Sequence, residues 1–331
     1  MQVKDIGEQG LLRILQKFCP AEIVGDDCAV MATTPNKSLA ITTDMLVDGV
    51  HFSDRTTGPY YAGWRAAAAN LSDLAAMGAK PLAVTVALAV AADTAVEWVE
   101  EFYRGMTACL QEYHTPIVGG DVVRSPVVTV AITAFGEVEC DRTIRRSNAR
   151  SGWAIVATGV HGASRAGLEL LLNPEFGQNL TEVDRASLIL AHQRPKPRLD
   201  VLPVVWEILD SAGEFSIAGM DSSDGLADAI IQICRASGVG AKVDRTKLPI
   251  PDIFSEIVST EKALDWALYG GEDFELVLFL PIANAELLVE KIGNGAAIVG
   301  TATDSTDIWL TDSSGIYPDS RLKLDRGFQH F

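Results

Sequence analysis

No lysine in this 331-residue chain follows a glycine, so a G-x-x-x-x-G-K-[ST] phosphate loop is absent, as are G-x-G-x-x-G and a His-Arg-Asp catalytic loop. P-loop and protein-kinase-like phosphate handling are therefore excluded. The five histidines form no H-E-x-x-H pattern and no G-x-S-x-G elbow accompanies them, which argues against zinc hydrolysis and serine-triad chemistry. Cysteine is scarce: Cys19, Cys28, Cys109, Cys140 and Cys234 are scattered, without a C-x-x-C pair, and read as reduced thiols. The longest apolar stretch, Leu82 to Ala92, is too short to span a bilayer, and MQVKDIGEQG is no secretory leader, so a soluble, cytoplasmic protein is expected. Basic residues are also few. With 27 Lys+Arg against 44 Asp+Glu the net charge is −17, and no local basic patch offsets it, so neither nucleic acid nor an anionic membrane is an expected partner.

What is present is a large apolar fraction, 48%, over a length that suits two domains. In the first half, Leu39–Val47 reads as a strand apolar enough to be buried on both faces or over most of its length. A helix from Pro59 to Met77 stops at Gly78, Leu82–Val90 is a second strand, and Asp93–His114 has helical periodicity. Strands Ile117–Gly120 and Val127–Gly136 follow. The polar, locally basic stretch Cys140–Gly152 marks a boundary, giving an N-terminal domain over residues 1–139 and a C-terminal α/β domain over 140–331. The second half reads as strand Trp153–Val160, a helix from about Ser164, an extended Arg194–Arg198, strand Ser216–Met220, helix Ser223–Ala236 and strands Gly240–Val243 and Phe274–Leu280.

The acids sit in unusual places. Asp44, Asp73, Asp121 and Asp221 fall inside or at the tips of apolar segments, where an unpaired carboxylate loses several kcal/mol of solvation, on the order of what a cation or a ring of donors must restore. Taken alone, Asp73 reads either as a helix cap or as a metal ligand. Asp44, with Thr42 and Thr43 before it, reads either as a strand-end residue or as part of the oxygen-rich set that Mg²⁺ prefers. Gly25-Asp26-Asp27, Gly119-Gly120-Asp121 and Gly270-Gly271-Glu272-Asp273 are glycine turns carrying acid, and Asp221-Ser222-Ser223-Asp224 precedes a helix as caps often do. Together they suggest one acidic cleft at element ends, which could face a polyphosphate only with several divalent cations interposed.

The segments GDDCAV (25–30), ITTDMLVDGVHF (41–52), NLSDLAAMGA (70–79), GGD (119–121), DSSDGL (221–226), GGEDFEL (270–276) and the terminal GFQHF closely resemble the thiamine-monophosphate kinases, in order and over essentially the whole chain. The resemblance implies a two-domain α+β fold of the aminoimidazole-ribonucleotide-synthetase type, paired as a homodimer through the N-terminal domains, with ATP held by acids and several Mg²⁺ ions. It implies Asp27, Thr42, Thr43, Asp44, Asp73, Asp121, Asp221 and Asp224 as Mg²⁺ ligands, with Asp44, Asp73 and Asp121 assisting in-line transfer. Gly120, Asp121, Arg146 and Ser223 correspond to ATP contacts, Tyr103 to an adenine neighbour, and His51, Glu272 and Phe328 to the thiamine monophosphate pocket. Two departures, a serine at 222 where an apolar residue is common and Phe328 where the aromatic type varies, remove no ligand oxygen. Joining two anions needs charge neutralisation and alignment more than a general base, because the acceptor oxygen is already ionised. Other ATP-using enzymes of the same fold, or a non-catalytic dimer binding Mg²⁺ and nucleotide, remain as alternative readings.

Overall fold

The computed structural model describes residues 1–20, 33–213, 216–293 and 295–323, so the expected ligand Asp27 and pocket residue Phe328 lie outside the described residues. The chain divides into two compact units: Met1–Leu74 with Ala79–Cys140, and Ala75–Gly78 with Asp141–Phe331. Among the described residues no helix is long and apolar enough to cross a membrane.

The first unit comprises helix α1 (Val3–Leu15), strand β1 (Lys37–Val47), helix α2 (Pro59–Ala76), strand β2 (Lys80–Val90), helix α3 (Val96–Glu112) and strands β3 (Ile117–Arg124) and β4 (Thr129–Glu139). Its four strands run in the order β1-β4-β2-β3, antiparallel except for the parallel pair β2–β3. Helix α3 buries Val96, Val99, Phe102, Met106 and Leu110, the spacing that lines one face of a 3.6-residue helix. Its contact with α2 is set by two glycines. A Cβ on Gly63 would sit 1.9 Å from the Phe102 carbonyl oxygen, and one on Gly105 would sit 1.7 Å from that of Tyr60. Only bare backbones approach so closely.

Two expectations are corrected here. Strand β1 is not buried on both faces: Leu39, Ile41 and Met45 are 50%, 59% and 57% exposed, while the alternate residues face α2. It lies at a sheet edge with one apolar face unpacked in the single chain, because apolarity in a strand signals burial against something without saying whether that is the chain's own core. Asp121 is not in a glycine turn. It lies within β3, which the parallel pairing to β2 carries through to Arg124.

The second unit holds strand β5 (Ala154–Ala157), helices α4 (Ala163–Leu172), α5 (Glu182–Gln193) and α6 (Leu202–Ala212), strand β6 (Ala218–Asp221), helix α7 (Leu226–Ser237) and strand β7 (Gly240–Asp244). Helices α8 (Phe254–Ile257) and α9 (Thr260–Tyr269), strand β8 (Leu276–Leu280), helix α10 (Ile282–Ile292) and strands β9 (Ala297–Thr303), β10 (Ile308–Thr311) and β11 (Ser320–Arg321) complete it. Its seven-stranded sheet runs β11-β10-β7-β9-β5-β8-β6, antiparallel except for β10–β7. Strands β5, β6 and β8 are buried throughout, with cores on both sheet faces. The C-terminal ends of β6 and α9 therefore open onto loops whose acids the sheet fixes in place.

Candidate active site

In the first unit the carboxylates gather where α2 crosses β1. The Thr42 hydroxyl donates to Asp73 Oδ2, and the Asp44 backbone N–H donates to Asn70 Oδ1 at 3.3 Å. Asn70 is fully buried and its amide donates back to the Ala66 carbonyl at 3.0 Å, so one helix turn fixes both contacts. Thr42 and Asp44 on one face of β1, with Asp73 of α2 bonded to Thr42, thus form a set of hard oxygen donors, the chemistry that suits Mg²⁺. Thr43 points to the opposite face, its hydroxyl 2.9 Å from that of Thr133.

Asp121 is not with them. The register aligns Asp44 with Ile132, Val86 and Gly120, whereas Met45 aligns with Ala131, Ala87 and Asp121. Asp44 and Asp121 therefore stand on opposite faces of the sheet and on its two edge strands, three strand spacings or about 14 Å apart. Among the described residues no group of three or more His, Cys, Asp and Glu side chains closes around a metal position.

His51 sits in the turn after β1, where its Nδ1 accepts the Val47 N–H at 3.1 Å, so that the ring proton lies on Nε2. The Tyr103 ring is buried, with centroids 5.5 Å from Phe18 and 6.0 Å from Phe102, and burial pushes its hydroxyl pKa up. It lies on α3 and packs against Phe18, just past the end of α1.

In the second unit two loops interlock. Asp221 is buried and accepts from the Ser223 hydroxyl at 3.0 Å; the Glu272 N–H donates to the Ser223 carbonyl at 2.7 Å, and the Ser222 N–H to that of Glu275 at 2.8 Å. Asp224 and Arg146 are exposed, and both act on Asp228, whose pKa is raised by burial and then by the Asp224 charge, with Arg146 opposing. Buried Glu275 pairs with Arg198 and accepts from the Thr158 hydroxyl at 2.6 Å; burial raises its pKa and the guanidinium lowers it. Removing one partner of such a pair costs about 3–5 kcal/mol.

Beneath these loops lie two buried histidines that sequence reasoning missed and a partly buried aspartate it read only as part of a glycine turn. His161 is fully buried, with Nδ1 3.0 Å from the Gly159 carbonyl and Nε2 3.0 Å from Ser222 Oγ. A carbonyl only accepts, so the proton is assigned to Nδ1 and the Ser222 hydroxyl donates to Nε2. Burial depresses the His161 pKa to about 4. Asp273 accepts from the Gly162 N–H at 2.7 Å and the Ser164 N–H at 2.9 Å, and burial outweighs those bonds to push its pKa to about 7. His192 Nδ1 lies 3.1 Å from Ser164 Oγ and 3.7 Å from Glu272 Oε2. The signal available was the acid beside Glu272 in the same glycine turn; nothing local marks the histidines.

These two groups pull the pH dependence of stability in opposite directions. A carboxyl raised from 3.8 to about 7 by folding stabilises fully only at low pH and loses its contribution as pH rises through that window; a histidine lowered from 6.5 to about 4 loses its contribution as pH falls through it. Between pH 4 and 7 the slopes offset. Melting curves across that range should show stability falling with acidification more steeply in Asp273→Asn than in the parent, and less steeply in His161→Gln.

Residues 25–138 match the family described as AIR synthase related protein, N-terminal domain. The thiamine-monophosphate kinase of Synechococcus elongatus is 48% identical over 331 residues, 99% of this chain and 98% of that protein. The chain belongs to the thiamine-monophosphate kinases. The Escherichia coli K12 member is 38% identical over 82% of this chain and 80% of its own length. A crystal structure of thiamine-monophosphate kinase from Stenotrophomonas maltophilia superposes with a TM-score of 0.76 at 31% identity, covering 87% of this chain and 89% of that one. AaThiL complexed with AMPPCP and TMP does so with 0.72 at 30%, covering 100% and 99%. A hydrogenase maturation protein HypE in complex with ATP, at 20% identity and a TM-score of 0.74, shares the fold. As a thiamine-monophosphate kinase, the chain is an enzyme that phosphorylates thiamine monophosphate with ATP.

Proposed function

We propose that this phosphoryl transfer is assisted by Mg²⁺ ions held on the acidic residues, and that two copies of the chain build each site. The oxygen set of Thr42 and Asp44 on one face of β1, with Asp73 of α2, carries the reading. It fits Mg²⁺ in ligand type, and a Thr–Asp–Asp set with no imidazole or thiolate disfavours softer metals. Thr43 and Asp121, which face the other side of the sheet, join the metal-ligand set through the second copy, Asp27 is a further ligand, and Asp221 and Asp224 are the ligands of the second unit. Bound Mg²⁺ supplies charge neutralisation on the phosphate oxygens of two anions that otherwise repel.

The chain's own residues do the rest. Gly120, Arg146 and Ser223 contact ATP, Arg146 with the planar fork that matches a phosphate. His51 presents its Nε2–H as a donor, and with Glu272 and Phe328 it holds thiamine monophosphate; an aromatic face there stacks on the pyrimidine and attracts the thiazolium. No residue is required to take a proton, since the attacking phosphate oxygen is ionised at neutral pH.

The second copy follows from the sheet. Leu39, Ile41 and Met45 form an exposed apolar face continuous through the register with Val123 of β3, and a like face on another copy is the partner of matching chemistry. On this reading a partner's β1 edge comes within reach of Asp121, which stands three strands away from its own β1. The N-terminal domain then carries dimerisation and ATP/Mg²⁺ binding, and the C-terminal domain carries further substrate and nucleotide contacts.

Mg²⁺ titration at fixed ATP tests the metal reading. The rate should keep rising well beyond one equivalent of Mg²⁺ per ATP, because protein-held ions fill in addition to the nucleotide's own. Saturation at one equivalent contradicts it.

A further inference from the structure

The segment from Gly270 to Glu275, which joins α9 to β8, contains two non-glycine residues in left-handed backbone conformation, Glu272 at φ 60° and Phe274 at φ 52°. Side chains other than glycine's avoid this region, and where they occupy it the surroundings must hold them there. The residue between them does so. Asp273 turns inward to the N-terminus of α4, where Oδ2 takes the Gly162 N–H and Oδ1 the Ser164 N–H. Both donors are ones the helix itself cannot satisfy, so the carboxylate clamps the segment to a ten-residue helix at two points.

A second clamp acts on Glu272 itself, whose backbone N–H is tied to the Ser223 carbonyl. Gly271 makes that approach possible, since a Cβ there would lie 2.8 Å from the same oxygen. With Asp273 directed into the helix, the Glu272 side chain is left half-exposed, its carboxylate 3.7 Å from buried His192 Nδ1. Ser164 connects the two, donating its N–H to Asp273 and placing its hydroxyl 3.1 Å from His192.

We propose that Asp273 is a positioning residue for the acceptor substrate: by capping α4 it holds Glu272 in its left-handed conformation and so sets the direction in which the Glu272 carboxylate meets thiamine monophosphate. This rests on the reading that Glu272 belongs to the acceptor pocket. The strain at Glu272 is then the structural counterpart of function, stability given up to present a carboxylate at a fixed angle.

The test compares Asp273→Asn, Glu272→Gln and Glu272→Gly by steady-state kinetics in both substrates, beside melting temperatures. An amide at 273 can accept one N–H but turns its own NH₂ toward the other, releasing half the clamp. Asp273→Asn should raise KM for thiamine monophosphate about tenfold, with KM for ATP within about twofold and kcat within about threefold. Glu272→Gly should raise the same KM while raising the melting temperature by about 2–4 °C, because glycine relieves the left-handed backbone. Asp273→Asn lowering only the melting temperature, or raising both KM values alike, would overturn the proposal and leave Asp273 a plain helix cap. If Asp273→Asn does not fold, Glu272→Gly decides: a melting temperature that stays level or falls shows that the backbone is not held against its preference, and the proposal is lost. Glu272→Gln with an unchanged KM for thiamine monophosphate sinks the pocket reading itself, a failure distinct from an Asp273 variant that alone has no effect.

Discussion

Asp44→Asn should lower the rate of thiamine diphosphate formation by roughly 10³-fold, the consequence of losing about 4 kcal/mol of transition-state charge stabilisation when a ligand carboxylate becomes neutral. The same change should leave the fold intact. Asp44 lies on the face of β1 that α2 crosses, near the Thr42–Asp73 contact, and like charges near a surface repel by up to about 4 kcal/mol at 4 Å, so neutralising one should not weaken the apo protein. A melting temperature equal to or slightly above the parent's, beside a collapsed kcat, is the expected pair of results. A variant with near-normal activity would remove Asp44 from the site, and one that is inactive because it is unfolded would make it a structural residue.

Asp121→Asn should be as inactive, and mixing the two inactive variants should restore activity. If each site uses Asp44 of one copy and Asp121 of the other, a mixed dimer has one intact site and one doubly defective site. Random reassortment makes half of the dimers mixed, so about a quarter of the sites, and about a quarter of parental activity, should return after co-refolding or coexpression. No recovery on mixing, with dimers confirmed by light scattering, would place both carboxylates in a site built by one chain. That result would contradict the sheet register, in which they occupy opposite edges and faces.

The same residues show what a sequence reveals and what it withholds. Asp73 was legible because the helix around it is Ala- and Leu-rich, so an acid there stands out, and the structure does place it on α2, against Thr42. The strand β1 was legible as a strand but not in its surroundings. An apolar run such as LAITTDMLV encodes a preference for burial, and a chain's own core and a second copy satisfy that preference alike. Asp121 looked like a turn residue because two glycines precede it; the pairing of β3 with β2, a long-range contact, overrides that local signal. His161 and His192 escaped notice, and Asp273 was read only as part of a glycine turn, for a related reason. Their chemistry lies in burial and in partners more than a hundred residues away for Asp273, and 28 for His192, which no local spacing encodes.

The strain at Glu272 fits the same pattern. Its glycine turn was visible, yet the left-handed conformation falls on Glu272 and Phe274 as well as on Gly271, contrary to backbone preference. Local rules fail there because the segment is held by α4 and by the loop after β6, and such failures gather at sites where geometry serves chemistry.

The most direct measurement of the central claim is product analysis with the purified protein, ATP, Mg²⁺ and thiamine monophosphate, resolved by chromatography and by phosphorus resonance. ADP and thiamine diphosphate should appear in equal amounts, with the terminal phosphate of labelled ATP found in the thiamine diphosphate, and both should vanish when a chelator removes the metal. ADP released with inorganic phosphate and no thiamine diphosphate, or label missing from the thiamine product, would contradict direct transfer from ATP to thiamine monophosphate.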